Sequence, residues 1–93
     1  METGNQPRPI TPKERGRAID RAIRYWQAFG LAQGEGRKQL WFLAIRLGQA
    51  GCALSEMRQI LWEQAGYAHN PSERRGEVEA LLRDPKVKAA MAA

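Results

Sequence analysis

Apolar residues recur at helical spacing along most of this chain, and nowhere do they alternate as a strand would. Ile19, Ala22, Ile23, Trp26 and Phe29 form one buried stripe. Leu40, Leu43, Ala44 and Leu47 form a second, while Trp41, Phe42 and Ile45 spread apolar surface around the rest of that segment. Met57, Ile60, Leu61 and Ala65 make a third stripe with Trp62 beside it, and Val78, Leu81 and Leu82 a fourth. Val87 and Met91 mark one side of a short last segment. A helix that is apolar on most sides is buried on most sides. The segment at about 37 to 50 is therefore expected to be the central helix, with the others packed around it.

Helix-start and helix-stop residues frame these stripes. Thr11 can cap a first helix, Pro12 suits its first position, and Glu14 completes a capping box. That helix is expected to run to Phe29 and stop at Gly30. Gly51 ends the central helix, Ser55 is expected to cap the third, and Gly66 ends it. Residues 67 to 72 read as a turn, with Ser72 capping a fourth helix that Gly76 weakens. Asp84-Pro85 opens the last helix by the same cap-then-proline logic. Gly48 would cost about 1 kcal/mol relative to Ala inside the central helix unless a neighbour packs closely there. Residues 30 to 36 hold three glycines but lack the Gly-Lys-Ser/Thr ending of a phosphate loop, and no strand precedes them. They read as a turn or a place of close backbone approach. The pattern predicts an all-α fold: a compact bundle of four helices plus a short C-terminal fifth. It spans residues 11–93 as one domain, after a disordered, Pro-containing lead-in at residues 1–10 that does not read as a secretory signal.

Charge adds a partner class. Fifteen Lys and Arg stand against ten Asp and Glu in 93 residues, giving +5 and a pI near 10.0. That favours an acidic partner, with nucleic acid ahead of an anionic membrane surface. No apolar run approaches the roughly 20 residues of a membrane span, so no membrane partner is expected. The single Cys52 excludes an internal disulfide and fits a reducing, cytoplasmic compartment. The positive charge is concentrated. Arg15, Arg17, Arg21 and Arg24 occupy faces of the first helix away from its stripe, and residues 12 to 29 carry a net +3. No acid lies between Gly36 and Ala50, where Arg37, Lys38 and Arg46 make another +3. Free N–H groups at a helix start attract anions, so Arg37 and Lys38 there make a candidate phosphate seat. Tyr25, Trp62 and Tyr67 are candidates to stack on unpaired bases, whereas Trp26, Trp41 and Phe42 lie at core spacing and are expected to fill the interior.

Catalytic chemistry finds little support. His69 stands alone beside Asn70-Pro71, with no acid placed to pair with it. Glu73 and Glu77 share a helix face with Arg74 and Arg75 nearby, the pattern of solvated charge. Cys52 has no base in sequence reach, and one Cys with one His makes no protein-only zinc site. A non-enzyme without a metal or other cofactor is expected. The helices at 37–50 and 55–65 have helix–turn–helix spacing, but the residues that would face DNA are Glu56, Arg58, Gln59 and Glu63, two acids against one base.

Gly36-Arg37, then Leu40, Leu43-Ala44, Leu47, Gly51, Leu54-Ser55-Glu56, Ile60-Leu61, Asn70-Pro71 and Glu77 make a spaced set. Over roughly residues 34 to 83 it resembles the primase C-terminal helical domain. That domain follows archaeo-eukaryotic-type primase-polymerase domains in plasmid, phage and mobile-element replication proteins. The family often has Asn after the Arg, where this chain has Lys38. The resemblance implies a helical bundle that assists template or primer binding, with Arg37 in the matching position. It implies that the catalytic acids lie in a separate primase domain. The expectation is a non-catalytic accessory domain binding nucleic acid, single-stranded or primer-template DNA first, for a primase or other replication protein. The alternatives are a small phage or plasmid protein-interaction bundle and a helix–turn–helix regulator.

Overall fold

The computed structural model describes residues 11–32 and 34–92, so the lead-in expected at residues 1–10 lies outside the described residues. Six helical segments follow one another: α1 (Pro12–Phe29), α2 (Gly36–Gln49), α3 (Leu54–Ala65), α4 (Pro71–Gly76), α5 (Val78–Arg83) and α6 (Pro85–Ala92). No strand occurs among the described residues, and the fold is an all-α bundle. The predicted fourth helix is two short ones, α4 and α5, meeting at Glu77. Its N–H bonds back to the carbonyl of Arg74 at 3.1 Å, a tighter turn than the α-helical one. Gly76, just before it, supplies little helix propensity to resist the break.

α2 is the centre, packed against all five other helices. Leu40, Leu43, Ala44 and Leu47 are fully buried, joined by Trp26 from α1, Met57 and Leu61 from α3, Val78 from α5 and Val87 from α6. Each Leu, Met or Val among them contributes about 1.5–3 kcal/mol on removal from water. α1 keeps the expected stripe except at its end. Phe29 is 54 % exposed, because Trp26 closes the core at this end of α1 and lies directly against Gly30.

The caps are partly as expected. Thr11 Oγ1 accepts from the Glu14 N–H at 3.1 Å and the Glu14 carboxylate accepts from the Thr11 N–H at 3.2 Å. Asp84 Oδ1 accepts from the Lys86 and Val87 N–H groups at 2.8 and 3.4 Å. Ser55 and Ser72 do not cap, since each helix starts one or two residues earlier. α3 has Ala53 at its cap position, with Glu56 accepting from the Ala53 N–H at 3.4 Å. α4 has Asn70 there, with no side-chain cap bond, and begins on Pro71, whose ring leaves one fewer unsatisfied N–H at the helix start.

Two glycines set the helix geometry. Gly51 has φ +91°, and the Cys52 and Gly51 N–H groups return to the carbonyls of Leu47 and Gly48 at 3.2 and 3.1 Å. This is the Schellman ending that a left-handed residue allows, and it turns the chain into α3. Gly48 is where α6 comes closest: a Cβ there would lie 3.2 Å from the Ala90 Cβ and 3.1 Å from the Met91 Cγ. Among the described residues no helix is long and apolar enough to cross a membrane. Replacing Gly48→Leu should push α6 off α2 and cost about 1–3 kcal/mol, read as a lower midpoint in urea unfolding. An unchanged midpoint would mean that α6 adds nothing to the core.

Candidate nucleic-acid interface

On α1, Lys13, Arg17, Arg21 and Arg24 recur at spacings of four, four and three, which confines them to about 80° of the helix circumference. All four are exposed and lie on the side of α1 away from Ala22 and Trp26. None of them has an ion-pair partner among the described residues. Arg15 leaves this set. It turns toward α3, where its Nη1 donates to Glu56 Oε1 at 2.5 Å. The sequence treats these arginines alike, but helix geometry and one acid on α3 separate them.

The start of α2 is uncapped: Glu35 makes no side-chain cap bond, and the first turn carries no acid. Lys38 there is exposed and unpaired among the described residues. Arg37 donates to Glu77 Oε2 at 3.0 Å while its side chain stays 79 % exposed. Glu77 also accepts from Arg74 at 3.2 Å, and Glu73 binds the same guanidinium at 2.5 Å. Arg74 is buried and runs across Gly36, where a Cβ would meet its Cδ at 3.0 Å. The acids that read as a solvated face are thus ligands of a buried arginine. Gly34, Gly36, Arg37, His69, Asn70 and Arg74 line a cleft of about 430 Å³. A neighbouring groove of about 670 Å³ is lined by Arg37, Lys38, Trp41, Glu77, Leu81 and Asp84.

The aromatic residues divide into two places. Tyr25 stacks on Phe29 with ring centroids 6.1 Å apart and planes at 29°. The Arg46 guanidinium sits between rings, 4.8 Å from the centre of Tyr25 and 5.4 Å from that of Phe42. Phe42 meets Trp41 edge-on at 5.1 Å, and the Lys86 ammonium lies 5.6 Å from the Trp41 ring. The Trp41 indole N–H donates to Asp84 Oδ2 at 3.2 Å. These side chains form a ladder across α1, α2 and α6. Trp62 and Tyr67, both more than half exposed, are not part of it. Trp62 lies on the α3–α4 side under Arg75, whose guanidinium is 5.1 Å from the ring and whose Nε donates to the Trp62 carbonyl at 3.1 Å.

Trp41 and Phe42, expected inside, are only half-buried and belong to this surface. The reason is that α1 and α6 flank α2 without closing over the strip between them. The signal was in the spacing: Arg37 and Trp41, Lys38 and Phe42, and Phe42 and Arg46 are each four apart, on one helix side.

α3 is poorly equipped to read DNA. Arg58 is held in a two-bond contact by Glu79, 2.7 and 3.3 Å, and Ser55, Gln59 and Glu63 are its other exposed polar residues. The hydrogen bonds and charge of this pair hold the Glu79 carboxyl below its usual range and raise Arg58 further. No group of three or more His, Cys, Asp or Glu among the described residues could hold a metal ion. His69 is exposed and lines the smaller cleft. Cys52 is buried, and burial pushes its thiol up. The Glu56 charge adds to the shift and Arg15 offsets part of it.

Because the thiolate is the nucleophile, Cys52 should alkylate slowly with iodoacetamide at neutral pH in the native protein and rapidly in urea. Fast native labelling would mean that the turn after α2 opens readily.

Set against family models, curated proteins and solved structures, the chain matches none of them.

Proposed function

We propose that this chain is a non-catalytic helical domain that binds nucleic acid for a primase or another replication protein. The observation that carries the reading is the exposed α1 stripe of Lys13, Arg17, Arg21 and Arg24, none of which has an ion-pair partner among the described residues. From Lys13 to Arg24 it runs about 16 Å along the helix. Cations held in a row on a rigid helix suit a phosphate backbone, a contact that gives affinity without sequence choice. The uncapped start of α2, with Lys38 and the partly engaged Arg37, offers a second phosphate position.

The replication role rests on the spaced residues that resemble the primase C-terminal helical domain. Four of them lie together: Gly36, Arg37 and Asn70 line one cleft, and Arg37 donates to Glu77. A second reading, a protein-docking bundle, draws on Trp62 and Tyr67, exposed apart from the cationic stripe. Salt separates the two, since apolar docking does not weaken as counterions are added.

Fluorescence anisotropy of labelled single-stranded and duplex DNA across a salt series tests the reading. Affinity should fall steeply between about 50 and 200 mM salt. The combined variant Arg17→Ala/Arg21→Ala/Arg24→Ala should flatten the slope of log K against log salt by about 2, with helix content by circular dichroism unchanged. An unchanged slope would remove α1 from the interface, and no binding at low salt would sink the nucleic-acid reading.

A further inference from the structure

We propose that the ladder Phe29–Tyr25–Arg46–Phe42–Trp41–Lys86 is a stacking platform for the bases of an unpaired nucleic-acid strand, with Phe29 as its open outer rung. The inference rests on the nucleic-acid reading and assigns it a strand state and a surface. Four aromatic side chains from two helices meet in series, each within stacking or edge distance of a ring or a cation. The outer pair is open: Phe29 is 54 % and Tyr25 46 % exposed. Phe29 plays no part in the buried core, and its ring contact is with Tyr25.

The platform is preformed. Arg46 is clamped between Tyr25 and Phe42, and its buried Nη1 has no hydrogen-bond partner. Rings, not a carboxylate, hold this guanidinium, so its charge is not cancelled by a counter-ion. A rigid surface loses little entropy when a ligand arrives. The carboxylate that touches the ladder, Asp84, is already engaged by the Lys86 and Val87 N–H groups and the Trp41 indole. Around it stand Lys38 from α2, four residues before Phe42, and Arg21 from α1, four residues before Tyr25. Cations interleaved with aromatic faces match a polyanion that carries π-faces, which is single-stranded nucleic acid. In a duplex those faces are already stacked on one another, while its phosphates still reach the α1 arginines. Strand selectivity therefore belongs to Phe29 and Tyr25, and general affinity to Arg17, Arg21 and Arg24.

The test compares a labelled unpaired oligonucleotide with a hairpin duplex of equal length, by anisotropy at one fixed salt concentration. The native protein should favour the unpaired strand. Phe29→Ala should weaken that complex about fivefold or more while leaving duplex affinity nearly unchanged, and Phe29→Trp should restore it. Because Phe29 is half exposed, thermal melting should confirm that the variants stay folded. Tyr25→Leu supplies a second rung to remove. If these variants weaken neither ligand, or weaken both equally, the platform is overturned and the α1 phosphate contact stands. If the native protein binds neither oligonucleotide at low salt, the nucleic-acid reading falls with it, and an acidic protein surface becomes the occupant of this face.

Discussion

Burial of α2 is the constraint on which the rest of this molecule depends. A helix carrying Leu40, Leu43, Ala44 and Leu47 on one side, and Trp41, Phe42 and Ile45 on others, cannot stand in water. Five neighbouring helices cover it. Its two glycines serve that covering. Gly48 gives up helix propensity so that α6 can come within van der Waals contact, and Gly51 takes the left-handed conformation that sends α3 back across the core. A chain this short buries a modest fraction of its surface, so a loss at either point is a large share of a stability of about 5–10 kcal/mol.

The same helix carries the proposed stacking surface, because it is not covered completely. α1 and α6 leave a strip of α2 open between them, and Phe42, Arg46 and Trp41 come out along it. What would be an apolar defect becomes a ladder in which rings and cations satisfy each other, with Asp84 fixing the indole at one end. Contacts of this kind contribute about 0.5–2 kcal/mol each, enough to hold side chains in place but not to build a core.

Electrostatics sort the cations into two classes. Arg15, Arg58 and Arg74 are committed to Glu56, Glu79 and to Glu73 with Glu77. Of these, Arg74 matters most to the fold, because its side chain is 10 % exposed and desolvated charge must be paired. The exposed pair Arg58–Glu79 is screened by water and chiefly neutralises α3. Arg17, Arg21, Arg24 and Lys38 remain uncommitted among the described residues. Arg75, Arg83, Lys86 and Lys88 are also outside ion pairs among the described residues, but the row of cations on one helix face is that of α1, not of the helix a helix–turn–helix protein would present to DNA.

The sequence by itself determined the helical class, the central position of α2, the first and last caps, and the ends of the first three helices. These rest on local rules: 3.6-residue periodicity, a side-chain oxygen within three residues of an N–H, and glycine at a helix end. It also determined that the charge lies on α1 and at the start of α2, since neither segment holds enough acids to cancel it. Only the tertiary structure decided which arginines are free. Ion pairs such as Arg15–Glu56 and Arg37–Glu77 join residues about forty positions apart, and no local pattern encodes them. It also decided that Phe29 is exposed and that Trp41 and Phe42 are only half-buried. Apolar spacing says that a side chain needs cover, but whether a neighbour arrives depends on where α1 and α6 come to rest. Here they flank α2 without meeting over it, and the aromatic residues between them found one another and Arg46 instead.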